Sequence, residues 1–416
     1  MQTAAAGEPA PAEPGEPPGR ARTSTRPDAH KRPDERKRPK DRKAQLALAA
    51  AELFCERGYH GVSLDEIATA VGISGPAIYR HFPNKYAMLV HATRQLSDTV
   101  RAATEGQDDL ESLIAILARL TVEGRRVAGL YQWEWRYLEG EHREEFRADL
   151  VSLVRRLTVP LKGVRPELTD LDAAALVRAA LSVLGSFGTH RAVIAKGRAE
   201  AALTRAARAV LGDEPPTPAS PAAEKYDDRP ALGVVARREI LLAEAVKLFH
   251  VYGYHAVNVE EIGRAAGINA SSVYRYFPGK ADILAAAFYR ASERVAEVTA
   301  TALHGARDDE DALRRMADSY VDLTFERSAL VSVYLAENNN LPESDRHELR
   351  KVQRLHVEEW VRLLCRLRPG VPAAEARVLV HAALNLVTDL SRWVQFDRRT
   401  GMDRHLVRLA RTVLLS

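Results

Sequence analysis

Residues 53–85 read LFCERGYHGVSLDEIATAVGISGPAIYRHFPNK, and residues 248–280 read LFHVYGYHAVNVEEIGRAAGINASSVYRYFPGK. The two stretches align without a gap at an offset of 195. Further along the match weakens and the offset drifts. LVRAALSVL (176–184) still resembles LVHAALNLV (379–387), now at an offset of 203. The repeat unit is therefore a whole domain rather than a short solenoid unit.

Each copy announces three helices. In the first, Leu46, Ala50, Leu53 and Phe54 make one apolar stripe over about 42–57, matched by Leu241, Ala245, Leu248 and Phe249. Gly58 and Gly253 stop it, as residues tolerant of a left-handed backbone do. A capping box opens the second helix: Ser63 with Glu66, and Asn258 with Glu261. Val62 and Ile67, or Val257 and Ile262, supply a hydrophobic staple around it. Gly72-Ile73-Ser74 and Gly267-Ile268-Asn269 then make a tight turn, in which Ser74 or Asn269 is expected to cap the third helix. That helix is short, 75–82 or 270–277. Only Ile78 and Phe82, or Val273 and Phe277, need to face inward. Small residues at its start permit close approach to a major groove, as in the recognition helix of a helix-turn-helix. Pro83 and Pro278 end it, and Lys85 and Lys280 begin a long fourth helix whose N-terminus suits a phosphate.

The rest of the chain bounds this reading. It has 416 residues, 46% of them hydrophobic and 6% aromatic, with a net charge of +4. Apolar residues recur at helical spacing and no run sustains strand alternation, so the fold class is all-α. Residues 1–40, Pro-rich and then basic, read as a disordered arm, with Lys31 to Lys43 as its charged part. A Pro-rich linker occupies 213–231 and separates domains at 41–212 and 232–416, with helix-turn-helix segments at about 42–88 and 237–283. Cys55 and Cys365 are too distant for a metal-site spacing and read as small buried hydrophobes in a reducing compartment. No stretch reads as the run of about 18 apolar residues that a membrane span needs, and the N-terminus has no apolar signal region. The expectation is a cytoplasmic protein without membrane association. The sequence has no phosphate loop, nucleophile motif or metal-ligand spacing, so neither enzymatic activity nor a cofactor is expected. His60 and His255, each after Gly-Tyr, read as structural turn residues.

The series F…G-Y…S/N…I…A…GI…YRxFPxK, followed by helices, resembles the TetR family of regulators, and two full copies resemble its tandem members. The resemblance implies two TetR-like domains, each a three-helix head followed by a helical ligand-binding and dimerisation bundle. It implies DNA contacts from Tyr79, Arg80, His81 and Lys85, and from Tyr274, Arg275, Tyr276 and Lys280. Ser74, Gly75, Pro76 and Ala77 would face the groove, matched by Asn269, Ala270, Ser271 and Ser272. For Ser63 and Asn258 two readings stand, a phosphate contact and capping alone. Asp65 and Glu260 would avoid phosphate and are not assigned to binding.

The two halves are expected to pair as a pseudo-dimer through their last two helices, about 169–193 with 198–211 and about 373–396 with 402–415. Such a chain would bind a double-stranded operator with unlike half-sites and be released from it by a small effector, as a repressor. Further oligomerisation is compatible with this reading. The effector's place is suggested by Tyr131, Trp133, Trp135 and Tyr137 in half 1, and by Tyr334 and Asn338-Asn339-Asn340 in half 2. Core or interface packing is the competing reading of those residues. The alternative function is a helical scaffold with one working DNA-binding head.

Overall fold

The computed structural model describes residues 39–132, 134–215 and 236–416. The Pro-rich arm up to residue 38, most of the linker, and Trp133 lie outside the described residues. Lys43–Ser416 forms one compact unit, and both repeats belong to it. Among the described residues every regular element is helical.

Half 1 opens with α1 (Pro39–Arg57), α2 (Leu64–Ala70) and the four-residue α3 (Gly75–Ile78). Then follow α4 (Lys85–Thr104), α5 (Leu110–Glu123), the short α6 (Gly129–Gln132) with a 3-10 turn at Glu134–Tyr137, and α7 (Gly140–Val164). α8 (Asp170–Gly185) and α9 (Lys196–Leu211) close it. Half 2 repeats the plan. Its head is α10 (Arg237–Tyr252), α11 (Val259–Ala265) and α12 (Ala270–Val273). α13 (Lys280–His304), α14 (Asp309–Glu326), α15 (Ser328–Glu337) and α16 (Glu343–Leu367) follow, then α17 (Ala373–Trp393) and α18 (Met402–Leu414).

The drift of the repeat has a physical location. α13 has 25 residues against 20 in α4, and α14 has 18 against 14 in α5. Half 2 thus carries about one extra turn on each of two neighbouring helices, which moves the offset from 195 to 203.

Each head has its own core. In head 1, Leu46, Phe54, Ile67, Ile78 and Phe82 are buried together, and in head 2 Leu241, Phe249, Ile262, Val273 and Phe277 are. A third, larger core runs through both halves: Leu176, Val183 and Leu203 of half 1 share it with Leu379, Leu386 and Leu406 of half 2. α8, α9, α17 and α18 pack on one another to build it. Its ends are tied alike in both halves. Arg165 donates to the carbonyls of Leu211 and Asp213, and Arg368, 203 positions on, donates to those of Leu414 and Ser416.

This packing explains a difference from the sequence reading. Asp170–Gly188, which is α8 and its 3-10 extension, is long and apolar enough by length and composition to cross a membrane. Its apolarity serves a helix covered by protein on several sides, where Ala173, Leu176, Val177, Ala180 and Val183 are buried. The cysteines also differ slightly from expectation. Both are only half-buried, packed against core edges.

Candidate nucleic-acid interface and effector cavity

The turn before each recognition helix is built as its sequence dictates. Gly72 and Gly267 have φ of 71° and 70°, in the left-handed region that side chains disfavour. Both capping boxes form: the Ser63 hydroxyl accepts from the Glu66 amide at 3.2 Å and Asn258 Oδ1 from the Glu261 amide at 2.8 Å. Each glutamate returns a bond to the backbone N–H of its cap residue at 2.8 Å. Caps at the recognition helices diverge. Asn269 Oδ1 accepts from the Ser272 amide at 2.9 Å, whereas the Ser74 side chain makes no cap bond. The Ala77 amide, which the Ser74 side chain would cap, bonds the Ser74 carbonyl instead at 3.0 Å, and Pro76 has no amide to offer, so the expected Ser74 cap is absent. The α-helical part of each reader is also shorter than the expected eight residues. It ends at Ile78 or Val273, and tighter turns carry the chain to Phe82 and Phe277.

Ser74, Pro76, Tyr79 and Arg80 face solvent in head 1, with Gly75, Ala77 and His81 partly covered. In head 2, Asn269, Ser271, Tyr274, Arg275 and Tyr276 face solvent, with Ala270 and Ser272 partly covered. Tyr79 and Tyr274 are 59% and 53% exposed, so both rings are open to a partner. Ser63 and Asn258 are exposed at the same surface while committed to their caps.

The two lysines do something the sequence did not announce. Lys85 Nζ donates to the carbonyls of Tyr59 (2.8 Å) and Val62 (2.9 Å), and Lys280 Nζ to those of Tyr254 and Val257 (both 2.7 Å). Each ammonium also lies over a tyrosine ring, Tyr59 at 4.6 Å or Tyr254 at 4.3 Å. Burial lowers the pKa of both. These lysines tie the fourth helix of each head to the turn before the second, and a phosphate would have to use their remaining proton. At the end of the basic arm, Lys43 lies 5.2 Å from the ring of Phe82, at the end of the reader.

The heads also touch each other. His60 and His255, the paired turn residues, meet with ring centres 4.3 Å apart. Tyr59 stacks on Tyr137 of its own half at 5.3 Å.

Half 2 contains an open cavity of about 1220 Å³. Leu330, Tyr334, Leu335 and Asn338 of α15 and the turn after it line one wall. Leu242 and Val246 of α10 bring the head to its edge, and Leu384, Asn385 and Thr388 of α17 bring the interface. His356 in its interior accepts a bond from Trp360 Nε1 at 3.2 Å and stays neutral, its pKa lowered to about 4 by burial. Charge sits at exposed positions, where Arg290 pairs with Glu239 and Arg294 with Glu297. Such a space suits a largely apolar molecule with neutral hydrogen-bonding groups.

The corresponding region of half 1 is filled. Its α6 has four residues where α15 has ten, and Tyr131 and Trp135 lie against Phe146 at 5.1 and 5.9 Å. Tyr137 lies against the head. So Tyr334 and Asn338 line a cavity, while Tyr131, Trp135 and Tyr137 are packing residues of the head 1 core. The breadth of the cavity, and the part played in it by α10 and α17, left no sign in the sequence.

Two small-residue readers on matched three-helix heads define a helix-turn-helix protein of nucleic-acid-binding type. The pattern of the bacterial regulatory proteins of the TetR family matches residues 47–92 and again 241–287. Both heads are thus DNA-binding heads of the TetR type. It is 39% identical over 56 residues to the HTH-type transcriptional activator FasR of Mycolicibacterium smegmatis, covering 14% of this chain and 26% of that one. It is 27% identical over 116 residues to the HTH-type transcriptional repressor KstR2 of Rhodococcus jostii, covering 26% and 57%. The chain thus spans about a quarter and somewhat over half the length of these relatives. The crystal structure of the TetR-family regulator PfmR from Thermus thermophilus aligns with a TM-score of 0.39 at 24% identity, covering 42% of this chain and 97% of that one.

Proposed function

We propose that this chain is a sequence-specific DNA-binding transcriptional regulator that engages its operator as a single-chain pseudo-dimer. The observation that carries the reading is the presence of two complete heads on one compact unit, joined through the shared core of α8, α9, α17 and α18. Joining the heads makes the second DNA contact intramolecular, at an effective concentration that reaches ~mM for short linkers.

The two readers differ at the residues nearest the groove, Gly75-Pro76-Ala77 against Ala270-Ser271-Ser272. The operator therefore has two unlike half-sites rather than a palindrome. Tyr79, Arg80, Tyr274 and Arg275 supply phosphate or base-edge contacts. A small, largely apolar effector occupies the cavity of half 2 and releases DNA by favouring the state in which the heads do not fit successive grooves. Repression relieved by the effector is the mode proposed, and the setting is the cytoplasm, where operator DNA lies. The two curated relatives carry opposite signs, activator and repressor, so the sign is tested directly by transcription from the bound promoter.

Footprinting and mobility shift on the DNA flanking the chain's own gene, with mass measured in solution, test the proposal. Protection of two adjacent unlike half-sites by one chain is the expected result. Protection of one half-site only would leave a single working head, and binding that merely tracks salt would return the scaffold reading.

A further inference from the structure

α15 forms a wall of the cavity in half 2, and the residues at its end reach both heads. The Ala336 carbonyl accepts a bond from Arg136 Nη2 of half 1. Arg136 also bonds the Tyr137 hydroxyl at 2.8 Å and lies over that ring, which packs on Tyr59 and His60 of the head 1 turn. Asn339 packs against the same turn. A Cβ built on Gly58 would sit 3.0 Å from Asn339 Nδ2 and 3.1 Å from Asn339 Cβ. Between these two, buried Glu337 accepts from the Tyr254 amide of head 2 at 3.4 Å and from Asn340 Nδ2 at 2.7 Å. One short segment therefore touches the cavity, the head of its own half and the head of the other.

We infer that Ala336–Asn340 carries the state of the half 2 cavity to both heads, so that one occupied site controls two readers. This rests on the reading of the cavity as the effector site. Arg136 and Asn339 stand 203 positions apart, the offset of the interface helices, so they are repeat-related residues that each cross to the opposite half. The crossing gives a continuous path from a cavity wall to head 1. A displacement of α15 by a ligand cannot leave Ala336 and Asn339 in place, and the packed turn at Gly58 must follow or lose its contacts.

The test needs neither DNA nor the natural ligand. Ala291, on the α13 wall of the cavity, is replaced to occupy part of the space, as Ala291→Phe, or as Ala291→Leu if the aromatic variant fails to fold. Amide hydrogen exchange is followed in the full chain at Gly58 and Gly61 of head 1, bonded to the Phe54 and Gly58 carbonyls, and at Gly253 of head 2, bonded to that of Phe249. The expected result is an exchange rate changed at least threefold in both turns. The head 1 response should disappear when Arg136→Met and Asn339→Ala are added, or Asn339→Ala alone if the pair does not fold. A response confined to head 2, or absent from both, overturns the inference. A failure of DNA binding would appear in the footprint and leave this result untouched.

Discussion

His190 of half 1 stacks on His381 of half 2, ring centres 4.1 Å apart and planes within 6° of parallel. The repeat-related residues, 203 positions away, are Trp393 and Arg178, and they form a cation–π contact at 5.1 Å. The interface thus keeps the same geometry at two places with different chemistry. Only one of them is built from imidazoles, which titrate near neutrality when free.

That imidazole stack makes the fold sensitive to acid. Burial is the first cause lowering both rings, His381 to about 4 and His190 well below the ordinary value. Arg125, which donates to the His190 carbonyl, and Arg377, which pairs with Glu358, add positive charge around them. A histidine whose folded pKa is depressed takes up a proton more readily when unfolded. Its contribution is complete above about pH 6.5 and is lost as pH falls toward 4. The His381 ring should contribute on the order of 3 kcal/mol over that window, and the His190 ring acts in the same direction. Thermal unfolding measured from pH 7.5 to 5 should show a falling Tm, with a shallower fall in His381→Phe, which keeps an aromatic surface. Equal slopes in the two proteins would remove the stack from the explanation.

Lys85 and Lys280 are predicted to matter for stability before they matter for DNA. Lys280→Met removes two hydrogen bonds to carbonyls beside head 2 and should cost about 1–3 kcal/mol by urea unfolding. Arg275→Ala, at an exposed position, should leave stability nearly unchanged. If Arg275 meets a phosphate, its loss should reduce the salt dependence of DNA binding by about one unit of log K against log salt. A stable Lys280→Met protein with a reduced salt slope would reverse the two assignments.

The heads were legible in the sequence because every signal in them is local. A capping box, a staple and a left-handed glycine each act within a few residues, and each repeats at one offset. Ser74 shows the limit, since it stands where a cap belongs and the Ala77 amide is in place, yet its side chain makes no cap bond. The lysine ties were not legible, since Lys85 meets Tyr59 and Val62 only after the helices pack. Nor was the asymmetry of the halves. The aromatic run around Tyr131 looked like a ligand site, and Tyr131 and Trp135 pack on Phe146 in a stretch where α6 has four residues against ten in α15. The drift from 195 to 203 was visible as a number, but its meaning as extra turns on α13 and α14 required the fold.

A polar cluster fixes the register of the pseudo-dimer interface. Ser182 Oγ donates to Asp389 Oδ2 at 2.7 Å, and Asn385 Nδ2 donates to the Ser182 carbonyl at 3.1 Å and to Asp389 Oδ2 at 3.0 Å. Burial raises the pKa of the Asp389 carboxyl, and Ser182 is one of the partners that offsets this. Ser182→Ala should therefore cost about 1–3 kcal/mol by leaving an enclosed acceptor short of a donor. The double variant Ser182→Ala/Asp389→Leu should recover part of the loss, because it removes both ends of the bond. Denaturant unfolding of the four members of the cycle decides this, and additive losses would deny the coupling.

The unlike readers allow a test of which head reads which half-site. Replacing Ala270-Ser271-Ser272 by Gly-Pro-Ala gives head 2 the groove-facing residues of head 1 and removes the amide of residue 271, while Asn269 can still accept from residue 272. Bidentate and hydroxyl contacts to base edges are worth about 1–3 kcal/mol each, so the original half-site should weaken about tenfold or more. The same protein should gain affinity for an operator in which the head 1 half-site is repeated, since both readers would then present the same surface. Competition between the two operators on one gel measures the difference directly. A variant that loses the natural operator and gains nothing on the repeated one would mean that specificity lies outside these three residues, in Tyr274 and Arg275 or in the shape of the DNA.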